Sequence, residues 1–242
     1  MIDRYFRTIK LSISIEQFHA LPTNAAFKYE YFDKTAWLTP RPKGYIAALD
    51  LRPTGPAEPI EVFRSPVVIR PLRDSDWAEL PKLFASAFHR TAPFSGLDEP
   101  TRLEAAAACL GKTREGGDGP LVGWASFLAV DGRDDRPMGA ALVTRLLKDE
   151  MGWYADLGPA PEAGHPHLTW IFVPPMLARH GVGSSLLAAV VGALLAAGDT
   201  LLASTFLLGN ESSTLWHWRN GFRLLGYPGA PRQIDRQVRA IR

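Results

Sequence analysis

A strand, a two-glycine turn and a long apolar helix follow one another between His167 and Ala197, and this succession limits the architectures open to the chain. Residues 167–173 read as a strand, and residues 184–197 read as a helix apolar along most of its length. Between them runs Pro174-Pro175-Met176-Leu177-Ala178-Arg179-His180-Gly181-Val182-Gly183. A strand that turns through glycines into a helix start presents unpaired backbone N–H groups at the positive end of that helix, with little side-chain bulk in front of them. A phosphate is the expected ligand of such a turn. The turn alone leaves a plainer alternative, in which Gly181 and Gly183 only let the connection bend tightly. The third glycine of a dinucleotide fingerprint is missing, and no Gly-Lys-Ser/Thr follows as in a P-loop.

The surrounding chain reads as a mixed α/β protein. Residues 27–32 and 35–39 flank Asp33-Lys34 and predict two short strands joined by a tight turn, and residues 44–51 add a third strand. Pro53, Pro56, Pro59 and Pro66 then mark an irregular linker. Residues 1–65 are therefore expected to form a strand-rich arm, residues 66–228 the main domain, and residues 229–242 a solvated basic tail with Arg232, Arg236, Arg239 and Arg242. The main domain opens with a strand at Val67. Asp76 and Glu79 have capping-box spacing, ahead of a helical face made by Trp77, Leu80, Phe84 and Phe88. A helix around Cys109, strands near 124–130 and 138–147, the central strand and its helix, a strand at 201–208, a helix at 212–219 and a strand at 222–227 complete a β-α-α-β-β-β-α-β-α-β order.

Composition sets outer limits. The net charge of +2 comes without a basic stripe through the body, so no nucleic-acid partner is expected. Cys109 is the single cysteine, which excludes an intrachain disulfide and reads as a buried structural thiol. The uncharged stretch at 186–198 is too short to span a bilayer. The expectation is a soluble cytoplasmic protein with no membrane partner. His165-Pro166-His167 has no Cys or carboxylate nearby to complete a metal site, so no metal is expected.

The segment after the next strand narrows the ligand. It reads Asn210-Glu211-Ser212-Ser213-Thr214-Leu215-Trp216-His217-Trp218-Arg219-Asn220-Gly221-Phe222. Together with the turn it resembles the GNAT superfamily of acetyl-CoA-dependent N-acetyltransferases. In that family the central strand ends in Val-x-Pro, followed by Arg/Gln-x-x-Gly-x-Gly/Ala and a helix. Val173, Pro175, Gly181 and Gly183 fall at the matching positions. Asn210, Gly221 and Phe222 match the end of the family's next strand and its closing Gly-Phe. Ile69-Arg70-Pro71-Leu72-Arg73-Asp74-Ser75-Asp76 matches the family's beginning. The resemblance covers about residues 67–228.

What it implies is a mixed, mostly antiparallel twisted sheet flanked by helices, splayed between the central strand and the next. Acetyl-CoA would be the cosubstrate, with its pyrophosphate at Arg179, His180, Gly181, Val182, Gly183 and Ser184 and its pantetheine arm along Ile171 and Val173 and against Asn210. An amine, from a small molecule or a peptide, would attack the thioester directly in a ternary complex, with a backbone N–H near Val173 polarising the carbonyl. Ala178 stands where the family has Arg or Gln. His217 stands where the family often has the Tyr that protonates the departing thiolate, beside Trp216 in place of Leu. An imidazolium, with a pKa near ~6.5, is a competent donor to a thiolate of pKa near ~8.5. His167 is the candidate base, with Glu104 or Thr169 acting through a water as further candidates. Residues 94–97 and the acidic 149–164 loop would border the acceptor, and Trp216 and Trp218 would pack the core. Pairing with a second copy is one expectation for assembly. Two rivals stand beside this reading: a catalytically silent acyl-CoA-binding GNAT module acting as a sensor or interaction protein, and a nucleotide-binding protein of another fold.

Overall fold

The computed structural model describes residues 8–21, 27–40, 44–51, 67–91, 93–146, 157, 161–207, 210–226 and 236–238. Outside the described residues lie the four linker prolines, Asp149, Glu150 and Asp156 of the acidic loop, and Arg232, Arg239 and Arg242 of the expected tail. Strand β1 (Ile9–Ser12) and helix α1 (Ile15–Ala20) precede a hairpin of β2 (Phe27–Phe32) and β3 (Thr35–Pro40). Asp33 and Lys34 turn that hairpin with φ of 49° and 51°, the left-handed pair that a two-residue connection needs to match strand twist. Phe18, Tyr29 and Ala36 form a small core beside it.

The expected third strand of the arm goes elsewhere. β4 (Gly44–Asp50) joins the large sheet, where it runs antiparallel to a later strand from Gly44↔Leu207 to Asp50↔Leu201. A division at residue 65 thus cuts through that sheet. A continuous apolar run such as Tyr45-Ile46-Ala47-Ala48-Leu49 announces a strand covered on both faces without saying which sheet covers it. Within the expected tail, three residues are placed in a strand. β11 (Arg236–Val238) lies parallel to β2 and gives, among the described residues, the order β1-β3-β2-β11. Three residues are too few to carry a readable alternation.

The remaining elements follow the expected order: β5 (Val67–Pro71), α2 (Leu80–Ala87), α3 (Glu99–Arg114), β6 (Phe127–Asp131), β7 (Pro137–Arg145), β8 (Pro166–Phe172), α4 (Val182–Ala196), β9 (Leu201–Leu207), α5 (Glu211–Arg219) and β10 (Arg223–Gly226). The large sheet has the order β10-β4-β9-β8-β7-β6-β5, antiparallel except at β8 and β9. Leu186, Leu187, Val190 and Leu194 of α4 cover one face, against Ala129, Ala141, Leu168 and Leu202. Phe84 of α2 and Cys109 and Leu110 of α3 cover the other, against Leu128, Leu142 and Phe172. The buried Cys109 fits the structural reading.

One local expectation gives way to a stronger interaction. Asp76 does not cap α2, whose N-cap Glu79 makes no side-chain bond. Its carboxylate instead takes a two-pronged pair from Arg70 at 2.7 and 2.9 Å and the Arg73 N–H at 2.7 Å. Charge-assisted forked geometry outcompetes a single cap bond. The Arg70 hydrogen bonds hold the Asp76 carboxyl below its ordinary range.

Two features position the site. β8 carries a bulge: Val143 pairs with Leu168 and Leu142 with Trp170, so Thr169 is the extra residue. A bulge bends its strand and strengthens the local twist. Immediately there, β8 parts from β9, whose pairing stops at His167↔Ala203 and Leu168↔Ser204. At the opposite end of the same strands, Arg145 clamps Asp199 through two bonds of 2.7 and 2.9 Å. That clamp ties β7 to the connection between α4 and β9, so the strands are held together at one end and open at the other.

Candidate functional site

The fork is the open end of β8 and β9. Beyond Leu168, β8 continues through Ile171 and β9 through Phe206 with no pairing between them. Ile171 and Val173 are half-buried there. An unpaired strand edge inside a sheet leaves backbone donors and acceptors that a ligand can satisfy.

At the end of β8 the chain passes through a short 3-10 turn, Pro175–Leu177, and reverses at Arg179 (φ 65°) and Gly181 (φ 77°). α4 begins at Val182, two residues before the expected start. No side chain caps it, and no acidic residue occupies its first turn. Its first intrahelical bond runs from the Ser185 N–H to the Gly181 carbonyl at 2.9 Å. The N–H groups of Val182, Gly183 and Ser184 precede that bond and are available to an anion. Arg179 and His180 are exposed beside them. The two glycines divide the labour. Gly181 supplies the left-handed conformation. Gly183 makes room, because a Cβ there would stand 3.1 Å from the Trp216 indole nitrogen. Gly183 thus lets α5 approach the first turn of α4.

On α5, Asn210 is the N-cap: its Oδ1 accepts the Ser213 N–H at 3.1 Å. That bond leaves the carboxamide NH2 as the group it can offer to a ligand. Trp216 packs against the main core, whereas Trp218 is 72% exposed, a correction to its expected core place. His217 is buried, with its ring stacked on Phe206 at 4.1 Å. Nδ1 lies 2.8 Å from the Ser213 carbonyl and Nε2 2.8 Å from Ser204 Oγ. The carbonyl can only accept, so the ring proton sits on Nδ1 and the Ser204 hydroxyl donates to Nε2. Burial lowers the His217 pKa to about 4, against an opposing pull from the Ser213 carbonyl. The ring is neutral at pH 7 and both nitrogens are taken. This corrects the expectation that His217 delivers a proton as imidazolium.

His167 lies on the opposite face of the sheet from His217, buried, with Nε2 2.7 Å from Thr205 Oγ1 and Nδ1 3.1 Å from Thr169 Oγ1. Desolvation lowers its pKa to about 4, with Asp118 acting in the other direction. Thr169 continues to Thr144 Oγ1 at 2.8 Å, and Thr144 donates to the Asp118 carbonyl at 2.9 Å. Thr113 joins this region from α3, bonded to Asp118 Oδ2 at 2.7 Å and receiving the Trp170 indole N–H at 2.8 Å. Glu104 lies on the exposed side of α3 and is not drawn in. Phe94 and Leu97 are core residues packed with Phe84. Sequence reasoning missed Thr205, Thr144, Ser204 and Asp118. Threonines in strands read as ordinary β-formers, and only the pairing of β7, β8 and β9 brings Thr144, Thr169 and Thr205 onto one face. Among the described residues no three His, Cys, Asp or Glu side chains gather as metal ligands, and no helix is long and apolar enough to cross a membrane.

No family model matches the chain, and no curated protein matches it. Solved structures do. A GCN5-related N-acetyltransferase from Sphaerobacter thermophilus aligns with a TM-score of 0.51 at 15% identity, over 92% of this chain. The chain has a GNAT-like fold. It spans 58% of the length of that relative. The PaiA N-acetyltransferase from Thermoplasma acidophilum, solved in complex with coenzyme A, aligns at 13% identity with a TM-score of 0.47, over 68% of this chain and 94% of its own.

Proposed function

We propose that the chain transfers an acetyl group from acetyl-CoA to a small-molecule or peptide amine, by direct attack in a ternary complex. The observation that carries this reading is the meeting of fork and turn. β8 loses its β9 partner after Leu168 and runs directly to the uncapped start of α4. Acetyl-CoA has the matching sequence of parts: a pyrophosphate, an amide-bearing arm and a thioester. The N–H groups of Val182, Gly183 and Ser184, flanked by Gly181, Arg179 and His180, suit the pyrophosphate. The open edge at Ile171 and Val173 suits an arm that pairs as an added strand does, with the Asn210 NH2 as a further donor. Because Ala178 brings no guanidinium or amide, the backbone carries most of that grip. A β8 N–H near Val173 would meet the thioester oxygen as it gains charge, and the amine must attack unprotonated. The proposed compartment is the cytoplasm, with which a single buried thiol is compatible.

Calorimetric titration with coenzyme A, run beside a thiol-release assay over a panel of amines, tests the reading. Binding together with release on at least one amine is the expected outcome. One observation favours a second reading, a silent acyl-CoA-binding module: the residue at the expected acid position, His217, is buried, neutral and fully bonded. Tight coenzyme A binding with no release on any amine decides for the module. Selective binding of ATP or NAD over coenzyme A excludes both.

A further inference from the structure

Four side chains on the α2 and α3 face of the sheet form one hydrogen-bonded row, and its last member fixes its polarity. Thr144 Oγ1 lies 2.9 Å from the Asp118 carbonyl oxygen. A carbonyl can only accept, so the single Thr144 hydroxyl proton points there. The 2.8 Å contact between Thr144 and Thr169 must then use the Thr169 proton. The longer 3.3 Å approach of Thr169 to the His167 carbonyl loses that competition. Thr169 in turn accepts from His167 Nδ1–H at 3.1 Å. A neutral imidazole with its proton on Nδ1 has a bare Nε2, and Thr205 Oγ1, 2.7 Å away, donates to it.

The row therefore ends on an oxygen whose only proton is committed inward. Thr205 is also the first residue of β9 past its last pairing with β8, so that oxygen stands where the fork opens. Resting on the acetyl-transfer reading, we propose that Thr205 orients the acceptor: its hydroxyl oxygen accepts a hydrogen bond from an N–H of the attacking amine. His167, Thr169 and Thr144 are positioning residues that keep Thr205 an acceptor. An amine held by one of its N–H bonds keeps its lone pair free for the thioester carbonyl. The reacting group is then a primary or secondary amine nitrogen in its unprotonated form at the moment of attack.

As the C–N bond forms and the C–S bond breaks, the nitrogen loses one proton and the departing thiolate takes one up, directly or through water; the row does not carry it. The row terminates on a carbonyl oxygen, and burial holds the imidazole at a pKa of about 4, far below that of an alkylammonium. His167, expected as the base, thereby acquires a different task. It sets which way the Thr205 hydroxyl points.

The test uses the full chain with acetyl-CoA and three primary-amine probes: putrescine, glycinamide and kanamycin. Thr205→Val preserves shape and removes the oxygen. It is expected to lower kcat/KM for the amine by about 10- to 100-fold, chiefly through KM, as loss of one well-made hydrogen bond does, with calorimetric coenzyme A affinity unchanged. Thr205→Ser should stay within about threefold of the parent, since the oxygen remains. Thr169→Val removes the acceptor for Nδ1–H, frees the ring to place its proton on Nε2, and should lose activity although Thr205 is intact. Nitrogen NMR of the His167 ring reads the tautomer without turnover, and Nδ1–H is expected in the parent. Parent-like turnover in Thr205→Val, or a proton on Nε2 in the parent, overturns the proposal. If coenzyme A fails to bind or no probe releases thiol while the ring still shows Nδ1–H, the acetyl-transfer reading itself has failed, and the orienting role falls with it.

Discussion

His167 and His217 are matched in almost every local respect. Each is buried, each bonds through both ring nitrogens to a hydroxyl on β9 and to a group near it in its own element, and each is held neutral with a pKa of about 4 by desolvation. They differ in what lies beyond the first partner. The bonds of His217 close on the fold. Its Nδ1 serves the Ser213 carbonyl one turn back in α5, and Ser204 sits where β8 and β9 are still paired, 3.5 Å from the Leu168 carbonyl. The row through His167 ends one residue further along β9, at Thr205, where the strands have parted. A depressed pKa and a satisfied ring thus mark both and assign neither. The role follows from where each hydrogen-bond chain stops.

The largest test of this pairing is acidification. A histidine whose folded pKa is about 4 and whose unfolded pKa is near ~6.5 binds more protons unfolded than folded between those values. Its contribution to stability is complete above pH 6.5 and is lost as pH falls toward 4. Each ring adds a slope approaching about 1.4 kcal/mol per pH unit within that window. Denaturant titrations at stepped pH should show stability falling by a few kcal/mol in total, on the order set by two such shifts. His167→Gln and His217→Gln should each remove roughly half of the slope. A slope that survives both substitutions means that neither ring is held neutral. A slope carried by one ring alone breaks the match.

A smaller effect separates their roles. His217→Phe keeps an aromatic ring beside Phe206 but strands the Ser204 hydroxyl and the Ser213 carbonyl, at a cost of about 1–3 kcal/mol. Thiol release per folded molecule should nevertheless stay within about threefold of the parent, because the ring closes on the fold and not on the fork. A loss of a hundredfold or more would restore His217 to the chemistry and dissolve the distinction between the two rings.

The legibility of the two regions in the sequence differs for a physical reason. The turn was readable because its parts are contiguous: a strand, glycines at Gly181 and Gly183, and an apolar run set by backbone geometry alone. Asp33-Lys34, the order from β5 to β10 and the buried face of α2 were readable on the same grounds. The row of Thr144, Thr169, His167 and Thr205 was not. Its members lie on three strands, and the bulge at Thr169, which sets their facing, leaves no mark in the alternation. The place of β4 in the large sheet was hidden likewise, since Ala47 and Ala48 would be buried in any sheet that received them. The Arg70–Asp76 pair shows a third kind of failure, in which a correct spacing for a helix cap was taken over by a forked ion pair.

The smallest effect concerns the residue that starts the helix carrying His217. Asn210 has one observed role and one proposed role, and truncation to alanine does not separate them. Its Oδ1 caps α5 through the Ser213 N–H, and its NH2 is the donor proposed for the ligand arm. Asn210→Ala removes both and should lower stability by about 1 kcal/mol. Asn210→Asp keeps the capping oxygen and places a carboxylate at the positive end of α5, so stability should hold or rise slightly. It also removes the donor and sets a negative charge beside the fork, so coenzyme A affinity should fall by several-fold in calorimetry while the melting temperature does not. Equal coenzyme A affinity in Asn210→Asp and the parent would confine Asn210 to capping, and the grip on the arm would then belong to the β8 edge alone.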